Sequence, residues 1–437
     1  MLWESRLEKW ANSIRHKANL PLVISLWNKL VYRFGEFEHP QVSIHLTSPA
    51  AAASLISPSL AKLGAAYVEG KLDVEGKLSD VIRIGYELTR LSLKPEGRFG
   101  RMVRTFRHNR QEDKAAIAYH YDVSNDFYRL WLDEQMVYSC AYFENGDETL
   151  DQAQIKKIDH ILTKIRLQPG QTLLDIGCGW GALVLRAAQQ FDAQCVGITL
   201  SEKQFELATQ RVRAAGLEKQ IELRLIDYRD MTGQFDRITS VGMFEHVGLQ
   251  HLPEYFAKIG GLLKDDGLVM NHGITSTDPG SGETPYGGGE FIERYVFPHG
   301  ELPHVSLVLR SMQQAGLECF DLENLRRHYA HTCAIWADNF EQHAARIKQL
   351  AGEKRYRIWR LYLAGCAYAF EHDQIALYQV VCGKAGLSAS TLPWSRHYMY
   401  QPAMGAQQHD ILKSFIHEYI DQMIDPDKPL SNPINNS

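Results

Sequence analysis

No stretch of about 18 consecutive apolar residues occurs in the sequence, so a membrane-spanning helix is not expected. The first residues, MLWESRLEKW, carry charges where a secretory signal needs an apolar run. Cysteine is sparse. The 437 residues include 7, an odd number without tight pairs or regular spacing. That pattern fits reduced thiols in a cytosolic protein rather than a disulfide framework, and no metal site is expected. A surplus of positive charge is also missing. The formal net charge of -5 excludes a protein that grips nucleic acid over its whole surface, while leaving room for a local basic patch.

What is present describes an ordinary globular chain, 45% hydrophobic and 23% charged. Its length exceeds one usual domain, so a main core with a smaller second domain is expected. Residues 1–95 read as a small α+β unit. Val42, Ile44 and Leu46 alternate onto one face of a strand within Gln41 to Thr47. Further on, AYVEGKLDVEGKL turns at Gly70 and Gly76 before helical spacing resumes at Leu78, Val81 and Ile82. Residues 96–115 form a basic linker in which Arg98, Arg101, Arg104, Arg107 and Arg110 recur between apolar residues. Such a segment either lies on an anionic bilayer or is a solvated helix.

From residue 116 to about 390, apolar strands alternate with helices. TLLDI, QCVGIT, IELRL, RITSV and GLVMNH come first, and two further strands follow over Leu317 to Leu322 and Ala376 to Val381. This order predicts an α/β fold, a mostly parallel seven-stranded sheet covered on both faces. A helical insertion is expected between the last two strands, over Trp336 to His372, and residues 391–437 read as an irregular tail.

The sharpest local signal is LLDIGCGWGAL. A strand ends at Asp175, and Gly177, Gly179 and Gly181 follow at alternate positions before a helix. Glycine allows positive φ and close approach of backbone to a ligand. This G-x-G-x-G spacing resembles the first motif of class I methyltransferases rather than the dinucleotide fingerprint. The resemblance implies a Rossmann-like domain that binds S-adenosylmethionine. Asp175 would then face the methionyl end of the cofactor or orient the loop. The second strand ends GITLSEKQ without a carboxylate, leaving Thr199 and Gln204 for the ribose and Leu200 to cover the adenine. In IDYRD, Asp227 could accept from the adenine amino group while Tyr228 packs on its ring.

Several segments in order, HYDVSNDFYRLWLD, YSCAYF, LDIGCGWG, GITLSEKQ, DYRD, MFEHVG, FIERYVFPHGELP and the tyrosine of RRHYAHT, resemble the cyclopropane fatty acid synthases. The resemblance implies methylene transfer from S-adenosylmethionine to the cis double bond of unsaturated phospholipid acyl chains. It also implies a homodimer working in the cytoplasm, peripheral at the inner face of the membrane. An alkene attacking a sulfonium methyl leaves a carbocation that water would quench. The site must therefore be dry, aromatic and supplied with a base. Tyr121, Phe127, Tyr138, Tyr142, Phe143 and Tyr295 are candidate lining residues, or equally core. In the family a bound bicarbonate is the base. Its ligands carry over to Cys140, Glu245, His272, the backbone of Ile274, and Tyr329, and Tyr138 and Ser139 join the cofactor site. Without a ligand role, Cys140 would be a small buried hydrophobe, His272 a core histidine and Tyr329 a surface phenol. Departures from the family pattern are the glycine-rich GSGETPYGGGE, His304 after the LP pair, and the long tail.

Overall fold

The computed structural model describes residues 2–56, 58–92, 124–280, 288–298, 300–388 and 391–400. The basic linker's arginines, Tyr121, most of the glycine-rich loop (281–287) and the tail beyond 400 lie outside the described residues.

The N-terminal unit starts with helix α1 (Leu2–Lys17), whose Leu7, Trp10, Ala11 and Ile14 fall on one stripe at helical spacing and are all buried. They pack on a four-stranded sheet of order β2-β1-β3-β4, built from β1 (Leu22–Ser25), β2 (Val31–Arg33), β3 (Val42–Leu46) and β4 (Leu72–Gly76). Val42, Ile44 and Leu46 point inward as their alternation predicts. Burying side chains of this size contributes roughly 2 kcal/mol each. Strand β4 is more than the pair of turns read from the sequence, because Val42–Leu46 offers it an antiparallel partner. Helices α2 (Pro49–Ile56), α3 (Leu60–Val68) and α4 (Leu78–Ser92) complete the unit.

After α5 (Asn125–Arg129) and α6 (Leu150–Lys164), β5 (Thr172–Ile176) opens the second sheet. Its apolar run is continuous because both faces are covered. Next come α7 (Ala182–Phe191), β6 (Gln194–Thr199), α8 (Glu202–Ala214), β7 (Ile221–Leu225), β8 (Phe235–Val241), α9 (Leu252–Leu262) and β9 (Leu263–Ser276). The last elements are α10 (Gly288–Tyr295), α11 (Val305–Gln314), β10 (Leu317–Asn324), α12 (Arg326–Gln342), α13 (Ala344–Glu371) and β11 (Ile375–Lys384).

The seven strands run in the order β10-β11-β9-β8-β5-β6-β7. The pairs from β9 to β7 are parallel, and β10 and β11 are antiparallel additions at one edge. This is the mostly parallel Rossmann-like sheet that the sequence predicts. Helices α12 and α13 form the insertion, with a break at Gly352, where φ is 81°. Two arginines of α13 reach the N-terminal unit. Arg357 donates to the Tyr67 carbonyl at 2.9 Å and pairs with Asp73 at 2.6 Å, and Arg360 donates to the Tyr67 hydroxyl at 2.9 Å. Residues 391–400 fold back onto the sheet domain rather than trailing away, since Arg396 pairs with Asp321 at 2.6 Å and the Tyr398 hydroxyl donates to the Lys164 carbonyl at 3.0 Å.

Candidate active site

Strand β5 delivers the chain into a turn where Gly177, Gly179 and Gly181 take φ of 80°, 53° and 85°. Any side chain there would strain the backbone. The turn floors a cavity of about 160 Å³ lined also by Asp175, Thr199, Leu200, Gln204 and Tyr228. Asp175 is buried and accepts the Thr239 hydroxyl at 2.7 Å. Burial raises its carboxyl to about 6, against the pull of that hydroxyl and of Lys157. Thr239 of β8 orients this carboxyl, which lines the pocket. Thr199 donates to Gln204 at 2.9 Å, so the two are a coupled pair. Gly181 lies behind the pocket, where a Cβ would come within 3.2 Å of Ala208.

Asp227 departs from its expected place. Its carboxylate accepts from the Arg229 backbone at 2.8 Å and the Arg229 guanidinium at 2.7 Å, and it does not line the cavity. A neighbouring cation and an N–H two residues on satisfy it locally. Lys157, absent from the sequence reading, is a buried wall of this pocket and donates to the Ser139 hydroxyl at 2.7 Å. Burial lowers its ammonium to about 8, opposed first by Asp133.

A second, larger cavity of about 360 Å³ adjoins the first. Tyr138, Ser139, Gly242 and His246 line both. Its walls are aliphatic and aromatic and come from both units: Leu63, Val74 and Ile82 on the N-terminal side, Trp336, Tyr362 and Phe370 on the other. Glu245, His272, Ile274 and Tyr329 line the same space.

Glu245 sits in a short turn after β8, whose neighbour Phe244 lies so close to Gly273 that a Cβ there would be 2.0 Å from the ring. That contact seats the Glu245 carboxylate against β9, where Oε1 accepts the Ile274 N–H at 2.6 Å. Oε2 is buried and has no hydrogen-bond partner among the described residues. Burial raises this carboxyl to about 7, with the Ile274 N–H pulling the other way. His272 is likewise buried, and its Nε2 is unpartnered among the described residues. Its basicity falls well below the ordinary value, first through burial and then through Lys157 and Lys164, so the ring is neutral. Tyr329 stacks on Phe370 with ring centres 4.5 Å apart. An anion would fit here between a neutral imidazole N–H and a carboxyl that holds a proton near neutrality.

Two expected ligands are placed differently. The Cys140 thiol lines neither cavity and points to the carbonyls of Ala141 and Leu325, at 3.2 and 3.8 Å. Burial pushes it up, so it is an inert thiol, the small buried hydrophobe of the alternative reading. The Ile274 N–H is occupied by Glu245. Among the expected aromatics that are described, Tyr138 alone lines the cavities. Phe127 is core beside Trp359, Tyr142 stacks on His160 and His328, Phe143 meets His331, and Tyr295 packs on Phe291. Trp336, Tyr362 and Phe370 supply those faces instead. They sit on the helical insertion, where nothing in the local spacing separates wall from core.

A family model described as mycolic acid cyclopropane synthetase matches residues 108–380, and one described as a domain of unknown function matches residues 9–96. A probable fatty acid methyltransferase of Pseudomonas putida is 48% identical over 88% of this chain and 97% of its own length. The structure of the cyclopropane synthase MmaA2 from Mycobacterium tuberculosis is 36% identical with a TM-score of 0.59, covering 63% of this chain and 99% of that one. The cyclopropane synthase CmaA1, complexed with SAH and CTAB, is 36% identical with a TM-score of 0.59, covering 62% of this chain and 98% of its own. A glycine turn under one cavity, an apolar cavity sharing its wall, and these likenesses agree: the chain belongs to the mycolic acid cyclopropane synthetase family of S-adenosylmethionine-dependent methyltransferases.

Proposed function

We propose that the protein transfers a methylene unit from S-adenosylmethionine to the cis double bond of unsaturated phospholipid acyl chains, forming cyclopropane rings with bicarbonate as the base. One observation carries this reading: the cofactor pocket and the apolar cavity meet at Tyr138, Ser139, Gly242 and His246, and two polar atoms unpartnered among the described residues, of Glu245 and His272, lie on the apolar side.

Bound S-adenosylmethionine supplies an electrophilic methyl group, and bicarbonate a proton acceptor. The glycine turn and the Thr199–Gln204 pair hold the cofactor. Tyr138, Tyr329 and Trp336 present π faces where positive charge develops on the acyl chain and keep water from it. His272 Nε2–H donates to the anion. Glu245 holds the proton that lets a carboxyl sit beside an anion without repulsion. Both lie where the proton must leave for the ring to close. The N-terminal wall accommodates the distal acyl chain, with the headgroup outside at a peripheral contact on the inner membrane face. Among the described residues no helix is long and apolar enough to cross a membrane.

A second reading, methylation that leaves a methylene- or methyl-branched chain, draws on the name of the Pseudomonas putida relative. Both readings are tested by giving purified protein labelled S-adenosylmethionine, bicarbonate and unsaturated phospholipid vesicles. Label is expected in fatty acids heavier than the unsaturated substrate chain by one CH2 alone and unchanged in mass by hydrogenation, whereas a saturated methyl branch carries two further hydrogens. No label in fatty acids defeats both, and a product that takes up hydrogen selects a methylene-bearing one.

A further inference from the structure

Behind His272 runs a polar row that the reaction chemistry does not require. Strand register sets Gln379 of β11 directly opposite His272 of β9, and Glu323 of β10 opposite Gln379, so the three side chains share one face of the sheet. Helix α6 covers that face and brings Lys164, fully buried, between them. Lys164 Nζ donates to Gln379 Oε1 at 3.0 Å and to Glu323, which also meets His160 Nε2 at 2.9 Å. Gln379 Nε2 lies 3.2 Å from His272 Nδ1.

The donor inventory leaves one solution. An ammonium has donors only, so the Gln379 atom facing Lys164 is its oxygen. The amide nitrogen then faces His272, and because it too only donates, His272 Nδ1 accepts. A neutral imidazole carries one proton, which therefore sits on Nε2, the atom aimed into the cavity.

We infer that Gln379, itself oriented by Lys164, is a positioning residue that fixes the His272 tautomer so that Nε2–H is presented as a donor to the reaction anion. This rests on the anion site proposed above. It adds two residues that touch neither cofactor nor lipid, and a direction for the amide. The charged groups around the row are Lys157, Lys164, His160, Glu323, Asp321 and Arg396. Glu323 is driven up by burial but held at about 2 by His160 and Lys164, so it stays anionic and anchors Lys164.

The test is nitrogen NMR of protein labelled with ¹⁵N-histidine, with His272 assigned by difference against His272→Gln. The wild type is expected to show Nε2–H. Gln379→Glu replaces the donor with an acceptor and is expected to move the proton to Nδ1. Gln379→Met and Lys164→Met are expected to give a mixture. Turnover of Gln379→Glu should fall by about tenfold or more, while its affinity for S-adenosylmethionine stays within about twofold, since Gln379 lies outside the cofactor pocket. An Nδ1–H ring in the wild type, or a pattern unmoved in both Gln379 variants, overturns the inference. Should a variant not fold, the wild-type spectrum still decides. Bicarbonate is expected to shift the Nε2 signal. An Nε2–H ring indifferent to bicarbonate would refute the anion site while leaving the tautomer assignment standing, so the two failures are distinguishable.

Discussion

The two cavities that meet at Tyr138 are built in opposite ways. The cofactor pocket is floored by one contiguous turn, LDIGCGWG, whose glycines at positive φ follow the last residue of a central strand, and its walls are drawn from residues between Met136 and His246. The lipid-side cavity gathers residues from Val42 to Leu377, and its walls are held together by contacts between distant segments, among them Arg357 and Arg360 on the N-terminal unit, Tyr86 stacked on Tyr368, and Gly64, which lets Phe291 approach where a Cβ would be 2.6 Å away. Backbone conformation builds the floor of the first, and that floor is local. Packing between distant segments builds the second. Binding a polar cofactor needs a few oriented groups, whereas keeping a carbocation dry needs a closed surface from many parts of the chain.

The largest expected effect separates the chemistry from both bindings. Glu245→Gln should lower turnover by about 10² to 10⁴-fold, with cofactor affinity by calorimetry nearly unchanged. Equal losses in both would place Glu245 in the cofactor pocket and erase the contrast.

The same substitution sharpens the electrostatic side. An unfolded Glu245 titrates near 4.5 and the folded one at about 7, so the stability contributed by its protonated form is full below 4.5 and lost as pH rises through 7. Gln has no such loss. Urea unfolding between those limits should show Glu245→Gln gaining roughly 3 kcal/mol on the wild type as pH rises. A pH-independent difference would mean that the carboxyl titrates normally.

Gly177→Val, strained at φ of 80°, should weaken S-adenosylmethionine binding by about tenfold or more, and leave vesicle binding unaltered. The smallest effect is a selective one. Gly85 of α4 lines the lipid cavity, and its nearest neighbour to an added Cβ is Leu60 at 4.0 Å. Gly85→Leu should slow long acyl chains several-fold relative to short ones, on the order of one lost contact. A uniform loss would show that the N-terminal wall does not touch the substrate.

Legibility followed the same division. All seven strands of the main sheet were readable because their apolar runs are bounded by turns, and the glycine turn was readable because few sequences place glycines so after a strand. Glu245 and His272 were named through resemblance, not spacing. Asp227 misled because a carboxylate after a strand looks alike whether it meets a ribose, an adenine or Arg229. Tyr142 and Phe143 stayed open between lining and core because an aromatic residue carries no local mark of which surface it covers. Lys157, Lys164 and Gln379 were invisible: each owes its role to a partner on another segment, and the Gln379 partners are set by a register that exists only once the sheet has formed.

The most direct test of passage from the cofactor pocket to the apolar one is mass spectrometry of acyl chains after reaction with S-adenosylmethionine carrying a fully deuterated methyl group. Ring closure on the Glu245 and His272 side should leave two deuterium atoms per added carbon, the third having been removed as a proton, in a product that hydrogenation at the former double bond leaves unchanged. Retention of all three deuterium atoms, or label confined to the headgroup, would contradict it.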